Sequence, residues 1–118
     1  MTVESDLFDT LKGLVSNRVY PDLAPAEAAK PYVVYQQIGG ESPTFLERAS
    51  PSKKNGRFQV VVWAETRAQA SLVSLQIEAA MVAATVFQAK PVGDRTAVYD
   101  EDTQLRGSRQ DYSVWSDR

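Results

Sequence analysis

The chain has 118 residues, of which 43 % are apolar, a net charge of −2 at pH 7, and neither cysteine nor histidine. The apolar fraction suffices for one folded domain over residues 1–118, while the missing residue types exclude disulfides, thiolate sites and histidine catalysis. The acidic balance disfavours general nucleic-acid binding, and no apolar run approaches the roughly 20 residues of a membrane span, so we expect a soluble, cytoplasmic product without membrane contact.

The first third of the chain predicts one helix and one strand. Apolar residues at helical spacing predict a helix over about residues 4–15. Three prolines within residues 19–31 exclude a continuous helix there. Residues 32–38 alternate and are rich in β-branched and aromatic side chains, which is typical of a strand.

The next segment, GGESPTFLERASPSKKNG at 39–56, has no clear periodicity and is much longer than a hairpin needs. We predict a long flexible loop that orders on a partner, with Phe45 and Leu46 as its apolar anchor. The alternative is that the loop folds back and these two residues cap the core. A basic cluster in and beside the loop contains Arg48, Lys53, Lys54 and Arg57.

The second half predicts a strand, a long helix and a strand pair. Residues 57–65 are predicted to form the second strand, in which Phe58, Val60, Val62 and Ala64 share one face. A capping box, TRAQ, starts a helix that runs to about Val86, and residues 96–99 and 105–115 read as strands joined by a DEDTQ turn. The order α-β-β-α-β-β predicts an α+β fold, in which a mostly antiparallel four-stranded sheet carries two helices on one face.

The long helix has two apolar sides. One side contains Ala70, Val73, Ile77, Ala80, Met81 and Ala84, and the opposite side contains Ala68, Leu72, Leu75, Ala79, Val82 and Val86. One side must lie on the sheet, and the other must be covered by the first helix or by another chain.

The outward face of the sheet is also partly apolar, since Val61, Trp63 and Trp115 fall on it. These side chains are either half-exposed surface residues or an interface with a neighbouring chain. The candidate contact residues between subunits are Leu72, Leu75, Val82, Trp63, Trp115, Asp100 and Asp102.

No set of residues indicates catalysis or a cofactor. Ser52 beside Lys53 and Lys54 lacks the buried environment that would activate a nucleophile. The acidic turn at 100–102 lacks the spacing and glycine of a calcium loop. We therefore predict a binding or assembly module, not an enzyme, with no metal and no cofactor.

Four short motifs carry a family resemblance: RVYP at 18–21, PYVVY at 31–35, RFQVVVWAETRAQA at 57–70 and RQDYSVW at 109–115. In this order and spacing they resemble the tail completion, or tail terminator, proteins of long-tailed bacteriophages and prophages. The resemblance covers residues 4–116.

The resemblance implies a structural virion protein that forms a ring, typically a hexamer, at the head-proximal end of the tail tube. Its partners would be further copies of itself, the tail tube protein and the head–tail connector protein. Arg48, Lys53 and Lys54 would then contact the tube or a neighbouring subunit, or pair with Asp100 and Asp102 around the ring. The alternative is a small non-enzymatic module that binds nucleic acid or has a regulatory role.

Overall fold

A computed structural model of the chain describes residues 2–41 and 52–117. Two helices, one 3-10 turn and five strands follow one another along the chain. They are α1 (Val3–Leu11), the 3-10 turn (Lys12–Leu14), β1 (Val19–Pro21), β2 (Tyr32–Gly39), β3 (Lys53–Ala64), α2 (Arg67–Ala83), β4 (Gln88–Asp100) and β5 (Leu105–Asp117). The α+β class predicted from the sequence is confirmed.

The five strands form one mixed sheet in the order β1-β2-β3-β5-β4. All neighbouring strands are antiparallel except β1, which runs parallel to β2 and pairs Val19 with Val33. The sheet is therefore mostly antiparallel, as predicted, but it has five strands instead of the predicted four. Three residues are too few to show alternation, and Pro21 is compatible with a strand only because β1 lies at the edge of the sheet.

Both helices begin with a threonine cap. The Oγ1 of Thr2 accepts from the backbone N–H of Ser5 at 3.0 Å, and the Oγ1 of Thr66 accepts from that of Gln69 at 3.2 Å. Each bond satisfies one amide that the first helical turn leaves without a partner. Helix α2 ends at Ala83, not near Val86, because Ala84 turns to an extended conformation and the chain then buries Phe87.

The core lies between the two helices and one face of the sheet, which we call the inner face. Leu7 of α1, Ile77 of α2 and Phe58 of β3 are all buried in the same apolar cluster. The prediction that Phe58, Val60, Val62 and Ala64 share a face is confirmed, since all four are buried. Both helices therefore pack on one side of the sheet, and no other element within residues 2–41 and 52–117 covers the opposite side.

Strand β4 is much longer than the predicted strand at 96–99. It begins at Gln88, and its register with β5 shifts between Val92 and Thr96, so that 93–95 bulge opposite Gln110. Gly93 adopts φ +78°, which favours glycine, and Pro91 is tolerated because β4 is an edge strand. Pro91 and Gly93 interrupt the alternation in the sequence, which is why this region reads as a turn.

The predicted loop at 39–56 is shorter than expected at both ends. Gly39 ends β2 and Lys53 begins β3, where Lys53 and Lys54 pair with Asp117 and Ser116 of β5. The placement of the two lysines in a loop is therefore wrong, because backbone pairing with β5 extends β3 beyond its apolar stretch. Phe45, Leu46 and Arg48 lie outside the described residues.

Candidate assembly surfaces

The first candidate surface is the outward side of α2. Its large apolar side chains are exposed by 58 % at Leu72, 49 % at Leu75 and 57 % at Val82. We call these three residues with Ala79 the α2 stripe. Val86, which the sequence assigned to this side, lies beyond the end of the helix. The sequence left two possibilities for covering this side of α2, namely α1 or another chain. The first is wrong, because α1 packs into the core beside the buried side of α2. The helices and strands of residues 2–41 and 52–117 thus leave the stripe uncovered within one subunit.

An apolar groove lies beside the α2 stripe, between the helix and strand β4. The groove has a volume of about 580 Å³ and is lined by Leu75, Glu78, Ala79, Val82, Ala83 and Pro91. Within Arg67–Ala83 the only charged residues are Arg67 and Glu78. A solvated helix face normally carries several charges, whereas the centre of an interface is depleted in them. This side of α2 therefore has the composition of a contact surface.

The second candidate surface lies on the opposite, outer face of the sheet. Register places Tyr32 beside Trp63, Val34 beside Val61, and both Trp63 and Val98 beside Gly107. We call the half-buried apolar residues of this area the aromatic patch, and they are Tyr20, Tyr32, Val34, Val61, Trp63 and Val98. The patch is contiguous and leaves apolar surface open to water, as interaction sites do.

Close packing across β5 shapes the aromatic patch. A Cβ atom at Gly107 would lie 2.9 Å from Cε3 of Trp63 and 2.7 Å from Cγ2 of Val98, so only glycine fits beneath these side chains. The rings of Tyr20 and Tyr32 meet edge-on with centroids 6.1 Å apart. Burial, followed by the charge of Asp100 and the neighbouring Tyr20, raises the pKa of Tyr32.

Charged side chains also lie on the outer face, next to the aromatic patch. Nη2 of Arg57 lies 2.9 Å from Oδ2 of Asp111, and Nε of Arg57 donates to the same oxygen at 3.2 Å. Arg109 lies between this pair and the aromatic patch, directly opposite Val61. Arg109 is half-buried and has no carboxylate within 4.0 Å among residues 2–41 and 52–117.

The two predicted tryptophan contacts do not lie together. Both side chains occupy outer-face positions, but Trp115 pairs with Asn55, eight residues along β3 from Trp63. At roughly 3.3 Å per residue this separates their backbones by about 26 Å. Trp63 belongs to the aromatic patch, whereas Trp115 lines a separate cavity of about 400 Å³ with Lys53 and Phe87 at the far end of the sheet.

The predicted acidic and basic groups also lie at opposite ends of the sheet. Asp100 ends β4 at the hairpin and accepts from the backbone N–H of Asp102 at 3.1 Å. Lys53 begins β3 at the other end, which is about 36 Å away at roughly 3.3 Å per residue. Lys53 already forms an ion pair with Asp117 and, through that hydrogen bond and charge, lowers the pKa of this carboxyl. Part of the basic cluster is therefore neutralised within the subunit.

A buried polar network joins α2, β5 and the β4 bulge, and sequence reasoning missed it. Nε2 of Gln110 donates to Oε1 of Glu78 at 2.9 Å and to the carbonyl of Gly93 at 3.0 Å, while its Oε1 accepts from the hydroxyl of Tyr112 at 3.0 Å. Burial, together with the charge of Glu78, raises the pKa of Tyr112. The available signal was the alternation in β5, which places a glutamine among inward-facing residues.

The described helices include none that is both long and apolar enough to cross a membrane.

Two exposed apolar surfaces are typical of a protein that assembles with other chains, and comparison with known proteins identifies the family. The family model described as "Tail completion protein gp17" matches residues 8–117. The chain belongs to the tail completion protein gp17 family, which confirms the resemblance seen in the motifs. It is accordingly a structural component of a phage-like virion with a role in tail completion.

One chain of a solved virus-like particle has the same fold. A chain in the structure titled "Virion of native gene transfer agent (GTA) particle" aligns with a TM-score of 0.64 and 18 % sequence identity, over 98 % of this chain and 95 % of that chain. At this identity the match shows a common fold. The search of curated proteins found no match.

Proposed function

We propose that the chain closes into a ring at the head-proximal end of the tail tube, ends growth of the tube and joins the tail to the head connector. The observation that supports this most directly is the pair of uncovered apolar surfaces on opposite sides of the sheet. A closed ring uses head-to-tail contacts, in which each subunit presents two different surfaces. A single two-fold dimer would require only one.

The number of copies and the partners follow from the family resemblance. We propose a hexamer whose partners are the tail tube protein and the head–tail connector protein. Phe45, Leu46 and Arg48, outside the described residues, are proposed to anchor on the tube or on an adjacent subunit. Trp115 and Lys53 line a cavity at the end of the sheet where β3 begins, and this cavity would extend the docking surface.

Electron microscopy and light scattering test the ring. The purified chain, alone or mixed with tail tubes, is expected to form rings that occupy one end of each tube. Tails assembled without the chain should vary in length and fail to join heads. A chain that stays monomeric at every concentration and leaves tube ends bare would contradict the proposal.

A variant with residues 42–51 replaced by a short glycine turn should keep its melting temperature but lose tube termination.

The charged ends of the sheet are proposed to set the register of the ring. Lys54 forms no ion pair among residues 2–41 and 52–117 and lies at the end of the sheet where β3 begins, whereas Asp100 and Asp102 lie at the opposite end. Exposed pairs contribute only about 0–1 kcal/mol each. We expect Asp102→Lys to weaken assembly by at most about fivefold, and Lys54→Glu in the same chain to restore it. Failure of the double variant to recover would show that the two ends do not meet.

The described residues do not favour the nucleic-acid alternative. Lys53 and Arg57 both pair with carboxylates of β5, so the basic cluster offers less free positive charge than its sequence indicates. Binding to DNA phosphates would require such charges to be available.

A further inference from the structure

We propose that the α2 stripe of one subunit packs on the aromatic patch of the next, with Glu78 facing Arg109. This inference rests on the ring proposed above. The stripe and patch lie on opposite sides of the sheet, so a single contact type can repeat around a ring. Both surfaces are apolar and uncovered within one subunit. The contact would remove both from water at once.

The charges of the two surfaces are complementary. Glu78 lies in the groove beside the α2 stripe, and Arg109 lies at the border of the aromatic patch. Both side chains are half-buried, and neither forms an ion pair among residues 2–41 and 52–117. Glu78 uses Oε1 for Gln110, which leaves Oε2 for a partner subunit. A contact between the two surfaces would supply each charge with an opposite one.

The same charges argue against a two-fold contact. Two copies of the α2 stripe would bring two Glu78 carboxylates together at one interface, and two aromatic patches would bring two Arg109 guanidinium groups together. Like charges at an interface suppress association. The α2 stripe also borders an apolar groove of about 580 Å³, which the apolar side chains of a patch on a second copy could enter. The occupant of the groove is thus the outer sheet face of a second copy.

Cysteine cross-linking tests the contact, because the chain has no cysteine of its own. One cysteine replaces Leu75 on the α2 stripe, and one replaces Val61 beside Arg109. Oxidised rings of the double variant Leu75→Cys with Val61→Cys are expected to give a ladder of covalent multimers up to the full ring. An equal mixture of the two single variants should stop at dimers. The control pairs Leu75→Cys with Leu23→Cys, which is 82 % exposed and outside both surfaces, and should give no ladder.

Each other outcome overturns the inference in a distinct way. Covalent dimers of Leu75→Cys alone would show a two-fold contact between α2 stripes. Cross-links to a cysteine-bearing tail tube protein, without a ladder, would show that the stripe docks on the tube. Rings seen by electron microscopy without any cross-link would overturn this contact and leave the ring proposal standing. Absence of rings, alone and on tubes, would instead overturn the proposed function.

Charge removal provides a second readout. Glu78→Gln keeps an oxygen that can accept from Gln110, so it removes the charge without breaking the network. We expect Glu78→Gln and Arg109→Gln each to raise the concentration needed for ring assembly by roughly fivefold. The double variant should be no worse than either single variant, since groups that interact are not additive. Additive losses would show that the two charges do not meet.

Discussion

Replacing Leu72 and Leu75 together with glutamate is expected to abolish ring assembly and leave the folded monomer intact. Each leucine is about half exposed in one subunit, so covering the pair stabilises a contact by roughly 2 kcal/mol. Two unpaired carboxylates at the same place add a desolvation cost. We expect each contact to weaken at least about 100-fold, measured as loss of rings in light scattering and electron microscopy.

The matched control is Leu23→Glu, which makes the same chemical change at a residue that is 82 % exposed and outside both surfaces. Its rings should be unchanged. The melting temperature of both variants should stay close to that of the parent, because exposed substitutions usually change stability by no more than about 0.5 kcal/mol. Intact rings from the double variant would mean that the α2 stripe faces water in the assembly. Unfolding of the double variant would mean that the stripe belongs to the core.

Gln110→Ala is expected to cost about 3 kcal/mol of folding free energy, the largest effect on stability that we predict. The change removes three hydrogen bonds of the buried network, each contributing about 1 kcal/mol. It also leaves the hydroxyl of Tyr112 buried without its partner, since Tyr112 is fully buried. For a domain of this size the melting temperature should fall by about 10 °C.

Gln36→Ala is the control, because it removes the same side chain from an exposed position on the outer face of β2. It should leave the melting temperature nearly unchanged.

Denaturant unfolding of Gln110→Ala with Tyr112→Phe offers a further check. Removing the stranded hydroxyl should recover part of the loss, because both partners of the bond are then gone. If Gln110→Ala unfolds like the parent, the network contributes little to stability.

Local patterns were sufficient to predict most of the core. Helical spacing identified Leu7 and Leu11, and strand alternation identified the buried face of β3 at Phe58, Val60 and Val62. These signals arise because each side chain makes its contact within the period of its own helix or strand. The two apolar sides of α2 were also visible, and the buried one is the side with Val73 and Ile77.

Pairing between distant segments could not be predicted in the same way. Strand β1 exists because Val19–Pro21 pairs with β2, and the early start of β3 exists because Lys53 and Lys54 pair with the end of β5. Neither segment has a pattern of its own that marks a strand. The β4 bulge likewise depends on Gln110 of another strand, which donates to the carbonyl of Gly93.

The candidate surfaces were predictable in part for the same reason. Leu72, Leu75 and Val82 were found from helical spacing, and their exposure agrees with a contact role. Trp63 and Trp115 were assigned to one face correctly, but alternation gives no distance along a strand, so their separation was missed. The pairing of Lys53 with Asp117 was missed because the two residues are 64 positions apart.

The irregular edge of β4 affects how free copies of the chain interact with one another. An exposed edge strand offers unpaired backbone groups on which another chain can build. In β4 this row of groups is broken by Pro91, which has no N–H, and by the bulge at 93–95, which bends the strand. We expect these interruptions to disfavour pairing between the β4 edges of free copies. Such copies would then remain available for assembly instead of forming fibres.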